Sequence, residues 1–237
     1  MQNRVDYPLI AKKIEDFIYS RLEKSGAKGV VIGLSGGVDS AVVAALSAKA
    51  LGPAKVLGLL MPAPTNAFAD IEDARLIASR LGIATKVISL KSILESFSAN
   101  IASDQKAMGN LTARLRMCLL YYEANRLNFL VAGTGNKSEL SVGYFTKYGD
   151  GGCDLLPIGD ILKTQVWELA KFLGIPSRII NRVPTAGLWP GQTDEGELGI
   201  SYKELDDVLL DKRENLRVRK MINMTEHKRK PPEACKI

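Results

Sequence analysis

Histidine is all but missing from this 237-residue sequence: His227 is the only one. It stands beside Lys228, and nothing near it in the chain forms a nucleophilic triad, so it reads as a binding residue and not as a general base. Cysteine is scarce too. Cys118, Cys153 and Cys235 include no Cys-x-x-Cys pair, and the odd count fits a reduced chain, not a disulfide framework or a cysteine-held metal. Cys118 falls in a helical apolar run and reads as core. No apolar run approaches the roughly 20 residues that span a bilayer. Met1–Pro8 is polar and charged, unlike a signal peptide. These absences predict a cytoplasmic chain with no membrane contact. Internal repeats and low-complexity tracts are also lacking. The net charge is +6, densest at His227-Lys228-Arg229-Lys230, but no aromatic residues interleave with it as in an RNA-recognition surface. Phosphate-rich small molecules are therefore favoured over nucleic acid.

What is present has the rhythm of an α/β chain. The hydrophobic fraction of 46% is enough to fill a core, and the length fits one large domain or one with a small appendage. Ile10, Ile14, Phe17, Ile18 and Leu22 recur at helical spacing within residues 4–23. Near-continuous apolar runs predict strands at Val30–Ile32, Lys55–Met61, Ala84–Leu90 and Asn128–Ala132. Helices are predicted after the Gly33–Ser40 turn to about Ala50, over Asp70–Leu81, over about Thr112–Arg126, and over Ile161–Leu173 with Asp160 as N-cap. A further helix follows Ser201 as its cap. Apolar strands alternating with helices predict a twisted parallel sheet covered by helices on both faces, a three-layer, Rossmann-like arrangement. Ligands bind beyond the carboxyl ends of such strands. Gly33–Ser40 and Gly133–Glu139 each follow a strand and are expected to share one site. The charged, Pro-rich stretch Thr225–Ile237 reads as a mobile segment or a lid.

The most informative segment is Gly33-Leu34-Ser35-Gly36-Gly37-Val38-Asp39-Ser40. A glycine turn between a strand and a helix presents bare backbone N–H groups at the positive end of the helix, which suits an anion. Ser35 and Ser40 add hydroxyls. Asp39 adds a carboxylate that a phosphate site tolerates when a cation accompanies it. The loop is not a Walker loop, since it holds no lysine, and its glycines are misplaced for a dinucleotide fingerprint.

Four further segments carry chemistry. In Gly109–Met117, Arg114 and Arg116 diverge on a helix, so one can reach a ligand while the other pairs elsewhere; an exposed basic face is the alternative. In Gly133–Glu139, Thr134 offers a hydroxyl and Glu139 a carboxylate. Glu139 reads equally as a second hard oxygen ligand beside Asp39 or as a first-turn acid complementing a helix dipole. Gly143–Asp154 is rich in glycine yet carries two tyrosines, a phenylalanine, Lys147 and Asp154, a set suited to a flat heterocycle and its charged groups. Lys163 follows near the next helix start, where its charge could offset phosphate charge during reaction. Pro184–Glu195 is loop chemistry dense in special residues.

The Ser35–Ser40 motif resembles the Ser-Gly-Gly-x-Asp-Ser loop of the ATP pyrophosphatase superfamily. With Phe145–Gly152, Asp154-Leu155, Gly187-Leu188-Trp189, Gly191–Glu195 and His227-Lys228-Arg229 in the same order, the chain resembles the ammonia-dependent NAD synthetases over about residues 30–230. That resemblance implies that the carboxylate of deamido-NAD attacks the α-phosphate of ATP. Pyrophosphate leaves, and ammonia then displaces AMP. It further implies that Gly33, Leu34, Ser35, Gly36, Gly37, Val38, Asp39 and Ser40 cradle ATP, with Thr134, Lys163 and Thr185. Asp39 and Glu139 hold Mg²⁺, and Arg114, Lys147, Asp154, His227 and Lys228 contact deamido-NAD. Asp39 and Lys163 are the implied catalytic residues, acting by position and charge. Residues 62–68 match the family only loosely, so no contact is carried over there. Homodimers with deamido-NAD near the interface are implied. So is a single domain over 1–237 without the amidase domain of glutamine-dependent members. A tRNA-modifying thiolase or lysidine synthetase would suit the charge but would want a cysteine pair or an RNA-binding domain. A non-catalytic nucleotide-binding regulator would not need Asp39, Glu139 and Lys163 together.

Overall fold

The computed structural model describes residues 5–66 and 68–236. Four parallel strands, β1 (Gly29–Gly33), β2 (Val56–Leu60), β3 (Ala84–Val87) and β4 (Phe129–Val131), form a sheet in the order β3-β2-β1-β4. Around it run α1 (Tyr7–Ser25), α2 (Val38–Leu51), α3 (Phe68–Leu81), α4 (Lys91–Ser98), α5 (Gln105–Leu127), α6 (Lys137–Val142), α7 (Lys163–Phe172), α8 (Ser177–Ile180), α9 (Asp194–Leu198), α10 (Tyr202–Leu209), α11 (Leu216–Met224) and α12 (Glu226–Arg229).

The strands are apolar on both faces because both are covered. Side chains alternate across a strand. Val30 and Ile32 of β1 therefore enter one core with Ile18 and Leu22 of α1, Val42 and Leu46 of α2, and Leu169 of α7. Val31 enters the opposite core with Leu59, Leu94 of α4, Ala124 of α5 and Val131. The three predicted layers are thus present. A third cluster joins Val142, Leu198, Tyr202, Leu205 and Val218, which packs α6, α9, α10 and α11 together beside the sheet.

Several expectations need correction. The helix α5 starts at Gln105, not near Thr112, because Asp104 caps it and accepts from Ala107 N at 2.7 Å. Its Gly109 lies where a Cβ would press on Leu188 and Trp189 at 3.1–3.3 Å. The third strand stops at Val87. Ile88 and Leu90 still donate to the carbonyls of Leu60 and Pro62, and the chain then turns into α4, an element the sequence did not disclose. Asp160 is not the N-cap of α7. Its carboxylate pairs instead with Lys137 Nζ at 2.8 Å. The segment at Thr225 is not free, since α12 docks on the 143–145 turn.

The start of α7 is held from outside its own chain segment, by Ser138 and Asp206. Lys163 N donates to Ser138 Oγ at 2.9 Å, and Thr164 donates to Asp206 Oδ2 from N at 2.9 Å and from Oγ1 at 2.7 Å. Ser138 Oγ donates to the other oxygen of Asp206, which is 2% exposed. One buried carboxylate therefore fastens α6, α7 and α10. Asp206→Asn turns one of its two acceptor oxygens into a donor facing donors. It should lower stability by about 1–3 kcal/mol in urea unfolding; a change within about 0.5 kcal/mol would show that the carboxylate is not the fastener.

Candidate active site

The order β3-β2-β1-β4 reverses direction between β1 and β4, and a crevice opens there beyond the carboxyl ends of the strands. The chain leaving β1 makes the Gly33–Ser40 loop, and the chain leaving β4 makes Gly133–Glu139. Both line one cleft of about 580 Å³, within the roughly 300–1,000 Å³ of ordinary ligand sites.

The loop after β1 is built for an anion. Gly36 has φ +82°, a conformation that suits glycine, and a Cβ there would collide with the carbonyl of Asp70. Ser40 Oγ donates to Gly37 O at 2.9 Å and lies 3.2 Å from Ser35 Oγ, while Gly37 N donates to Ser35 Oγ at 3.2 Å. These bonds fold the loop on itself. No side chain caps α2, so its first-turn N–H groups stay open toward the cleft.

Beside that loop lies a buried charge cluster. Lys163, the first residue of α7, is 2% exposed. Its Nζ meets Asp39 Oδ2 at 2.5 Å and Glu139 Oε1 at 3.2 Å. Asn136 Nδ2 donates to Asp39 Oδ1 at 3.0 Å, and Asn136 also caps α6 by accepting from Glu139 N at 3.0 Å. Tyr202 lies beneath, its hydroxyl 3.1 Å from Glu139 Oε1 and its ring centroid 5.1 Å from Lys163 Nζ. Burial works against the Lys163 ammonium, but the two carboxylates outweigh it and hold its pKa above the ordinary lysine value. At Glu139 burial dominates, and with Asp39 and Asp194 nearby it pushes the carboxyl up to about 7 despite Lys163. Burial also raises the phenols of Tyr144 and Tyr202, so both stay neutral donors.

The structure brings most of the sequence-predicted residues to this cleft. Gly33, Leu34, Ser35, Gly37, Val38, Asp39, Ser40, Thr134, Glu139, Lys163, Thr185 and Lys228 line it. Gly36 shapes the loop from behind. Lys147, Asp154, His227 and Arg114 lie outside the lining. Lys147 Nζ donates to His227 O at 2.7 Å, and Lys228 Nζ donates to Gly143 O and Phe145 O, each at 2.7 Å. Asp154 accepts from Val131 N at 2.7 Å and Tyr121 OH at 3.0 Å. Arg114 is exposed on α5, whereas its neighbour Arg116 lines the cleft and donates to Met61 O and to Asn66 Oδ1 at 2.9 Å. Arg116, Asn136, Tyr144, Asp194 and Tyr202 were not picked out by sequence reasoning. Arg116 was visible as one of a diverging pair and Asn136 as part of the Gly133–Glu139 run. Tyr202 carried no signal, because nothing local marks a tyrosine that meets a site 63 residues away.

A sequence model of the NAD synthase family matches residues 10–232. The NH(3)-dependent NAD(+) synthetase of Archaeoglobus fulgidus is 49% identical over 243 aligned positions, which cover 98% of each chain. Among solved structures, NMN synthetase from Francisella tularensis has a TM-score of 0.94 at 38% identity, covering 99% of this chain and 100% of that one. NH3-dependent NAD synthetase from Campylobacter jejuni has a TM-score of 0.80 at 35% identity, with 98% and 100% covered. With the phosphate loop, the carboxylate pair and the lysine between them in one cleft, and with these matches along nearly its whole length, the chain belongs to the NAD synthase family.

Proposed function

We propose that the chain is a carbon–nitrogen ligase that amidates deamido-NAD to NAD with ammonia and ATP, through an adenylated carboxylate, releasing AMP and pyrophosphate. The observation that carries this reading is the uncapped N-terminus of α2 beside the Asp39–Lys163–Glu139 cluster in one cleft. The names of the relatives support it. A carboxylate does not exchange its oxygen for nitrogen until that oxygen becomes a leaving group, and linkage to AMP makes it one.

The chain's own residues supply position and charge. The first-turn N–H groups of α2, with Ser35 and Ser40, receive phosphate oxygens. Lys163 offsets one of the two carboxylates, so the trio keeps one net negative charge once Glu139, pushed up to about 7 by burial, is ionised. Among the described residues each oxygen of Asp39 accepts one contact, and Glu139 Oε2 accepts only from Asn136 N at 3.5 Å, so lone pairs remain on both carboxylates, and hard carboxylates beside phosphates fit Mg²⁺. Held by Asp39 and Glu139, Mg²⁺ would neutralise phosphate charge. Arg116 makes no ion pair among the described residues, and its remaining N–H groups are available to a substrate anion in the cleft. Ammonia attacks the acyl carbon, the C–O bond to AMP breaks, and the proton lost by nitrogen leaves to solvent.

Arg114, Lys147, Asp154 and His227, outside the cleft lining, fit an acceptor whose far half lies on an outer face. Arg114 there shares α5 with Tyr122, which is 62% exposed. A second copy packed on this face would complete a deamido-NAD site in a homodimer. Among the described residues no helix is long and apolar enough to cross a membrane, and the reading places the enzyme in the cytoplasm as one domain. A second reading has its own support in the TM-score of 0.94 to a protein named NMN synthetase: amidation of the mononucleotide, which needs only the inner half of the acceptor site.

Purified protein with ATP, Mg²⁺, deamido-NAD and ammonium should yield NAD, AMP and pyrophosphate. Release of ADP instead of AMP would refute the adenylation chemistry, and a higher kcat/KM for nicotinate mononucleotide would select the second reading. Asp39→Asn and Glu139→Gln should each lower kcat about 100-fold or more while cooperative unfolding is retained; full activity in both would remove the carboxylate pair from the mechanism. Sedimentation equilibrium should give twice the chain mass, and a monomer at assay concentrations would rule out a shared site.

A further inference from the structure

Tyr202 touches neither substrate in the mechanism above, yet it is fully buried against the charge cluster. Its hydroxyl lies between two carboxylates, 3.1 Å from Glu139 Oε1 and 2.9 Å from Asp194 Oδ2. Asp194 is 5% exposed and forms no ion pair among the described residues. Its two oxygens accept from Tyr202 and from Tyr144 OH, the latter at 3.1 Å. Tyr144 OH also reaches Glu197 Oε2 at 2.7 Å. Gln192 Nε2 reaches that same oxygen at 2.6 Å, and Gln192 Oε1 accepts from Leu188 N at 2.8 Å. The chain of polar contacts is unbroken from Glu139 to Leu188. It links the cluster to the 184–193 loop, which lines the cleft as well.

Packing alone does not require this arrangement. Phenylalanine at 202 would fill the same space and keep the edge-to-face contact with Trp167, whose ring centroid lies 6.1 Å away. Burying a hydroxyl and a third carboxylate beside two others costs free energy unless every partner is used. Each phenol has one hydrogen and faces two carboxylates, so it donates to one at a time. Polar groups kept at such a cost beside a reaction cleft point to a role in the reaction. The cluster also needs a brace: a lysine ends in a compact charge on a flexible four-carbon stem. The face of the Tyr202 ring restrains that charge, while its hydroxyl borders Glu139 Oε1 and Asn136 N borders the other oxygen at 3.5 Å.

We propose that Tyr202, held by Asp194, is a positioning residue for the adenylation step: it fixes Glu139 and Lys163 in the orientation in which they meet the ATP phosphates. This rests on the amidation reading. Tyr202→Phe keeps the ring and removes only the hydroxyl. It should slow deamido-NAD-dependent ATP–pyrophosphate exchange about 10–100-fold and weaken calorimetric binding of Mg·ATP about 10-fold, with KM for deamido-NAD within about twofold. Asp194→Asn should show the same split, and the double variant should be little worse than either single one. Wild-type exchange and Mg·ATP affinity in Tyr202→Phe would overturn the proposal. So would a loss that raises both KM values alike and follows a lowered melting temperature, the mark of a purely structural residue. If the wild-type protein formed no NAD from deamido-NAD, the amidation reading would fail, and Mg·ATP calorimetry on the same variants would still decide the role of Tyr202.

Discussion

A buried ammonium held between two carboxylates organises this molecule. Lys163, Asp39 and Glu139 come from the start of α7, the start of α2 and the first turn of α6, segments far apart in sequence. A lone buried charge costs several kcal/mol, and the two carboxylates offset that cost for the lysine. The architecture follows from that demand. Parallel strands put β1 beside β4, so that the loops leaving them converge. Asp206 and Ser138 then fix the start of α7 so that Lys163 enters between them.

The same cluster explains a phosphate loop that carries no lysine of its own. A separate cation at the loop would bind triphosphate in the ground state as firmly as later. Here the lysine is already engaged by acids, and in the proposed reaction the phosphates would meet backbone N–H groups and the Asp39–Lys163–Glu139 trio. On that reading a divalent cation would accompany the nucleotide to balance the carboxylates and the phosphates. Two anions, a nicotinate carboxylate and an α-phosphate, would then be brought to bonding distance, the repulsion between them offset by groups fixed in advance. No nucleophile from the protein is required, which agrees with a chain that has one histidine, exposed on α12.

Much of this was legible in the sequence, and the limits are physical. The four strands and the two converging loops could be read because apolar runs and glycine turns are local signals. Asp39, Glu139 and Lys163 were found because each sits in a short motif. The cap of α7 was misread at Asp160 because its true partners come from α6 and α10, and no local pattern reports a tertiary cap. Helix α5, expected from about Thr112, begins at Gln105 under the Asp104 cap. Arg114 and Arg116 were both visible, but only the packing of α5 shows that the latter faces the cleft. Tyr202 and Asp194 belong to the same class: their meaning lies in contacts that no window of sequence contains.

The path of the carboxylate oxygen tests the adenylation chemistry itself. Deamido-NAD labelled with ¹⁸O in its nicotinate carboxylate should pass one labelled oxygen to AMP as NAD forms, with none in pyrophosphate. Label appearing in pyrophosphate or in inorganic phosphate, with AMP unlabelled, would contradict an acyl-adenylate and with it the account of how this cleft works.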